Sequence, residues 1–443
     1  MVRRNDRRGA GRATLQLGAV FAAVVAGPAF GVEWRPMAPG EAYRVTTQSA
    51  FSGWSAPPAG EAGKKNPRVE FTGSSKIVFR ERALQAPSGG RLRFFRIYEA
   101  SEYVRKTGGG EERGGLRPQV KRILLDPDKD GHVIYSPDDR LQFSELAMID
   151  EHVRRPGLEA FLTTGELTPG RTWKAPPAAI IELTGVDEVV SGEVVCKVEK
   201  IMEIGSRRLL QISANGAVAA RAGPARARCE IRGGLYVEPA TGRFVSLRTI
   251  GKQETFGPDD QIVASLDVDY QVLVEPLADD PDLSDDAVAS LPAAPSPEML
   301  MIAFESAAHG VQFEHARRWS VQRIDPHQIL LAAPDGAFVV STSKESKTPA
   351  TSEYFETVEK HLKDRNVQAT LVRAARESTS EAGRIGAFRF EATLDGRPSV
   401  LDYWVVERKG RGATVAVNAA RSAAPELLPE VERIVRTMRF SPR

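Results

Sequence analysis

The chain has 443 residues, 42% of them hydrophobic, and carries 60 basic and 58 acidic side chains for a formal charge of +2. That length implies two domains of the usual ~100–200 residues. A near-neutral balance excludes the basic footprint of a nucleic-acid binder, and no apolar run after residue 31 approaches the ~20 residues of a spanning helix.

Residues 1–31 read as an export signal. Arg3, Arg4, Arg7, Arg8 and Arg12 form a basic start, Leu15 to Ala26 a short apolar core, and Ala29-Phe30-Gly31 a small-residue cleavage site. The expected location is therefore periplasmic or extracellular. Without these residues the charge is −2, because five arginines and Asp6 leave with them. Val32 follows Gly31, so no cysteine stands at the cleavage point to take a lipid anchor.

Residues 32–276 are written mainly in period two. Val69, Phe71, Ile77 and Phe79 share one face of a strand; Ile262, Ala264, Leu266, Val268, Tyr270, Val272 and Val274 share one face of another. Ala225 to Val237 repeats the pattern, with Cys229, Ile231 and Leu235 on the apolar side. Strands with one buried and one wet face belong to antiparallel sheet. Short turns such as Ala240-Thr241-Gly242 join them as a meander. The expected form is a curled sheet or half-barrel, with short helices at Leu141–Asp150, Gly157–Thr163 and Ala178–Leu183 available to cover its apolar face. Ala56–Asn66 and Gly108–Gly115 read as loops.

Within this region Asp126, Asp128 and Asp130, followed by Gly131, have the alternate-oxygen spacing of a calcium loop. The twelfth position, where a bidentate glutamate belongs, is Pro137, and a strand lies on each side. The run reads either as a Ca2+ site or as the turn of a hairpin. Cys196 and Cys229 are the only cysteines and, in an exported chain, would form a disulfide. A simple meander puts a strand between them and separates them by about 9–10 Å, beyond the ~7 Å reach of the bond. Either a strong curl or an altered strand order brings them together, or both are buried free thiols. Trp54 and Trp173 stand beside loops, as core members or as the rim of a ligand mouth. The basic pairs Lys64-Lys65, Arg207-Arg208, Arg226/Arg228 and Arg317-Arg318 read as wet faces of strands.

Leu277 to Pro297 is rich in Asp, Pro and Ala and reads as a linker that buries no apolar area. Residues 298–443 then form a mixed module: a hairpin at Gln328–Ser343, an amphipathic helix at Thr351–Arg365 with Phe355, Val358 and Leu362 inward, four strands, and a closing helix at Glu426–Met438. The fold class expected for the whole chain is mainly β, with an α+β second domain. His309, Glu314 and His315 lack the helical spacing of a zinc site. No GxSxG, GxxxxGK[ST] or helix-opening GxGxxG motif occurs.

The order Phe313…His315-Ala-Arg-Arg-Trp319, hairpin, helix, strands, and a terminal helix ending Val435-Arg-Thr-Met-Arg-Phe440 resembles the PsbP-like fold. Ser144–Asp150, Thr168–Trp173 and Glu275-Pro276 are similar to a family of uncharacterised exported bacterial proteins. Its curled sheet resembles the half-barrel of periplasmic lipoprotein carriers. These resemblances imply binding and transfer no functional residue. The expected function is a non-catalytic binding or scaffold protein of the cell envelope, with a protein partner or an apolar ligand. A lipid carrier is the first alternative, requiring a cavity lined by Phe71, Ile77, Leu266 and Tyr270. A hydrolase without a recognisable motif is the second, requiring a convergent serine, histidine and carboxylate.

Overall fold

Long alternating strands dominate the N-terminal half because their inward residues have only one another and three short helices to pack against. The computed structural model describes residues 32–56, 68–86, 89–128, 131–151, 155–163, 165–204, 207–342, 348–380 and 383–441. Residues 1–31, expected to be an export signal, most of the Ala56–Asn66 loop, Lys64-Lys65 and Asp130 lie outside the described residues.

Twelve strands form one antiparallel sheet. From one edge the order is Thr172–Lys174, Glu188–Ile204, Arg207–Ala222, Ala225–Glu238, Arg243–Phe256, Ile262–Pro276, Ala42–Ser55, Val69–Gln85, Leu92–Thr107, Arg122–Asp128 and Gly131–Tyr135. Gly110–Gly114 pairs beside Leu92–Thr107. The sheet is thus two meanders joined where the last long strand meets the first, from Ala264↔Ser55 to Pro276↔Tyr43. Its two end strands do not pair with each other, so the curl is a half-barrel.

The concave face is covered by helices Phe143–Glu151, Arg155–Glu159 and Pro177–Thr184, whose Met148, Ile149, Leu158 and Ile180 join the sheet's core. The helix expected at Gly157–Thr163 starts two residues earlier and stops at Glu159.

The second domain is a seven-stranded antiparallel sheet between two helices. Helix Ala424–Thr437 buries Leu427, Val431, Ile434 and Val435 against one face; helix Thr351–Asp364 buries Val358 and Leu362 against the other. Strand Arg397–Arg408, covered on both sides, therefore shows almost continuous burial rather than alternation. Helix Thr351–Asp364 starts without a serine or threonine cap. Glu353 instead accepts from the Ala350 backbone N–H at 2.9 Å, while the Thr351 hydroxyl donates to Glu377.

The segment 277–297 is packed rather than free, which corrects the expectation that it buries no apolar area. Leu283 is 2% exposed and packs with Phe95, Leu124 and Tyr135. Asp280 takes two hydrogen bonds from Arg80 on the sheet, and Asp282 and Asp285 pair with Arg80 and Arg82. The aspartates that gave the stretch its linker composition are counter-ions for the neighbouring strand. A four-stranded sheet also links the domains. Leu141–Gln142 runs parallel to Ile302–Ser306, beyond which lie Val311–His315 and Arg439–Phe440. Arg317 is not a wet-face residue as expected: its guanidinium donates to the carbonyls of Leu300 and Ile134 across this junction.

Candidate functional site

Along each central strand the inward face changes character partway. In Ile262–Pro276, Tyr270, Val272 and Val274 are buried, whereas Leu266 and Val268 on the same face are only half-buried. In Val69–Gln85, Ile77 and Phe79 are buried, whereas Phe71 and Ser75 are not. The exposed half of each strand borders a cavity of about 760 Å³ between the sheet and the helices, within the ~300–1,000 Å³ typical of small-molecule sites.

Its floor comes from Ser49, Phe51, Phe71, Ser75, Ile231, Thr249, Gly251, Gln253, Leu266, Val268 and Tyr270, and its roof from Phe143, Ala147, Met148, Leu183 and Thr184. Two glycines shape the floor. A Cβ at Gly73 would fall 2.2 Å from the Phe51 ring, and one at Gly53 would fall 2.9 Å from the Phe71 ring. Both rings lie across bare backbone, 6.4 Å apart between centroids. The Ser49 and Ser75 hydroxyls satisfy one another at 2.8 Å, so this part of the wall presents no orphaned polar group to an apolar ligand.

The roof helix Phe143–Glu151 is fixed from below and from the side. Glu145, 2% exposed, accepts from the Arg117 backbone and guanidinium and from the Gln142 backbone N–H. The two residues before the helix are those that pair with Ile302 and Ala303 of the second domain. Phe143, at the mouth, is 56% exposed.

The sequence-derived carrier set is met at three of its four positions. Phe71, Leu266 and Tyr270 line the cavity; Ile77 is completely buried in the core below it and is corrected to a packing residue. Phe51, Phe143 and Gly251 were not anticipated. The signal that would have found them is the run of small or polar residues at inward positions (Ser49, Gly53, Gly73, Ser75, Gly251), where a filled core would place large apolar ones. Neither Trp54 nor Trp173 lines the cavity: Trp54 carries Arg68 over its ring at 3.8 Å, and the Trp173 indole donates to the Phe161 carbonyl.

Asp126 and Asp128 stand on the hairpin Arg122–Asp128/Gly131–Tyr135. Asp126 accepts from Arg93 and from the Tyr135 hydroxyl at 2.9 Å, which engages both carboxylate oxygens. Among the described residues no cluster of three or more His, Cys, Asp or Glu side chains is placed to hold a metal. With Arg93 already serving as the cation beside Asp126, a chelator is expected to shift the melting temperature by less than ~1 °C; a calcium-dependent rise would restore the metal site.

Cys196 and Cys229 are both free and buried. The meander holds: Cys196 pairs with Ala214 and Cys229 with Val218 on the strand between them. The four-residue offset adds about 13 Å along that strand to the two strand spacings. Burial pushes the Cys196 thiol up to about 12 and the Cys229 thiol up to about 11. A charged maleimide at pH 8 should modify neither thiol in the folded protein and both after denaturation, as read by mass; native modification would contradict this burial.

The zinc candidates separate. Glu314 pairs with Arg140, while His315 bonds the Ala316 carbonyl and burial holds its pKa down. His309 instead completes a buried Ser306–His309 hydrogen bond of 2.8 Å, its other ring nitrogen meeting the Asp325 carbonyl at 2.7 Å. The third member is thus backbone rather than carboxylate: Asp325 Oδ2 pairs with Arg323. A triad needs an accessible serine and an orienting carboxylate, and this set has neither. No histidine lines the cavity among the described residues. No helix among them is long and apolar enough to cross a membrane.

No family model and no curated protein matches the chain. Among solved structures it is similar to cyanobacterial PsbP from Synechocystis sp. PCC 6803, at 12% identity over 34% of this chain and 97% of that one, with a TM-score of 0.26. It is also similar to the Ran-binding protein Mog1p of Saccharomyces cerevisiae, at 9% identity over 32% and 95% of the two chains, TM-score 0.25. Lipovitellin is matched at 14% identity over 73% of this chain, TM-score 0.30, and this chain spans 31% of it.

Proposed function

We propose that the chain is a non-catalytic carrier for a small apolar or amphiphilic molecule, held between the curled sheet and its helical roof, and that it works outside the cytoplasm after loss of residues 1–31. The observation that carries this reading is the cavity itself. A half-barrel whose inward residues change from Ile77, Tyr270 and Val272 to Ser75, Gly251 and half-buried Leu266 leaves apolar surface unfilled where a purely structural core would close on it. A well-packed scaffold has no use for about 760 Å³ of such space. The second domain fits this reading as the support that fixes the roof helix through Leu141–Gln142.

Titration with the neutral dye N-phenyl-1-naphthylamine tests the proposal. One saturable site per chain, with a blue-shifted emission from an apolar environment, is the expected outcome. Fluorescence that rises without saturation, or not at all, would return the chain to a scaffold role.

A further inference from the structure

The charged groups around the cavity are not equivalent, and their placement narrows the ligand. Glu230 and Lys252 border the cavity only along the strand backbone. Each alternates with inward residues (Ile231, Gly251), and Lys252 is paired with Glu254 on the convex side at 2.6 Å. Glu182, on the roof helix Pro177–Thr184, packs against Gly157, where a Cβ would fall 2.1 Å from its Cγ, and brings a negative charge to the lining. Glu112 stands opposite Arg105 in the register, but its carboxylate accepts from the Tyr103 hydroxyl at 2.8 Å. Asp150 is exposed at the end of the roof helix.

Arg105 remains. It pairs in register with Gly73, across whose bare backbone the Phe51 ring lies, and its guanidinium lies 5.6 Å from the centre of the Phe71 ring. It forms no ion pair among the described residues, while its outward neighbour Lys106 is paired with Glu111. A guanidinium held over an aromatic floor at the mouth of an apolar cavity presents its fork to an anion whose tail lies inside.

We propose that the cavity takes a single-chain amphiphile with an anionic head group, the head seated on Arg105 and the chain lying over Phe51 and Leu266. This rests on the carrier reading above. Dodecanoate, dodecanol and dodecyltrimethylammonium, each used to displace N-phenyl-1-naphthylamine, separate the two claims. Dodecanoate should displace the dye at a concentration at least 10-fold below that of dodecanol, and the ammonium should be weakest. Arg105→Met should remove the preference for dodecanoate and leave dodecanol unchanged; Arg105→Lys should retain part of it. Equal displacement by all three, tightest displacement by the ammonium, or a preference that survives Arg105→Met would overturn the head-group assignment while leaving the cavity intact. Failure of every chain, dodecanol included, to displace the dye would sink the carrier reading and this assignment with it.

Discussion

Replacing Gly251 by tryptophan should close the cavity and weaken ligand binding by at least ~10-fold while the protein stays folded, because a side chain that fills the site excludes the ligand from its apolar contacts. Gly251 sits between Ile231 and Val268 in the sheet and is one of the residues that make the floor. A Cβ there meets only the Glu230 carbonyl, at 3.4 Å, so the added side chain clears the backbone. Sharing its face of the strand with Thr249 and Gln253, it rises on the concave side, into the space that the inward glycine leaves. Tryptophan is also a better strand residue than glycine. Melting temperature should therefore hold or rise while dye binding falls. The same substitution at Gly73 would be uninformative, since its Cβ would strike the Phe51 ring and the Val104 carbonyl. Undiminished binding by Gly251→Trp would mean that the dye sits elsewhere.

The second large effect concerns the floor beneath the cavity. Glu81 is completely buried and Arg96 is 2% exposed; Arg96 Nε lies 2.6 Å from Glu81 Oε2, with its guanidinium 4.4 Å from the centre of the Phe79 ring. Burial alone would lower the Arg96 pKa, but the Glu81 carboxylate and the Tyr98 phenol oxygen together hold it above its ordinary value. Arg96→Met removes the cation and leaves a carboxylate in the core, a change that costs about 3–5 kcal/mol in comparable buried pairs. Removing both charges, as Glu81→Leu with Arg96→Met, should recover most of that loss, because the penalty arises from the uncompensated ion. Urea unfolding of the two variants measures the difference. A double variant as unstable as the single one would show that the pair contributes by direct attraction instead.

How far the sequence foretells this molecule depends on whether a residue's partner is near in the chain. The closing helix is legible because Leu427, Val431, Ile434, Val435 and Met438 recur at helical spacing, and all five are buried. The strand Ile262–Pro276 is legible for the same reason at period two. Alternation tells which residues face inward but not whether that interior is filled. Ile77 and Phe71 share a face and a pattern, yet one is core and the other cavity wall, because the helices reach only part of the sheet. The stretch 277–297 misleads through composition. Its aspartates are matched by Arg80 and Arg82, some 200 positions away in the chain, and Leu283 finds its pocket against Phe95 and Tyr135. Asp126 likewise sits in a calcium-like run but is held by Arg93, a residue from the adjacent strand.

The roof helix gives the half-barrel a property that neither domain has alone. Its first residue, Phe143, follows directly on the pair that hydrogen-bonds to the second domain, and its Glu145 is clamped by Arg117 of the first. The cavity's upper wall is therefore positioned by both units, which accounts for their being joined by a shared sheet and a packed connection.

Native mass spectrometry of the protein purified from its own cells tests the central claim most directly. A single non-covalent adduct with the mass of a one-chain anionic amphiphile, released on denaturation and absent from Gly251→Trp, is the predicted result. An unliganded chain that also fails to take up dodecanoate or dodecanol when these are supplied would contradict it.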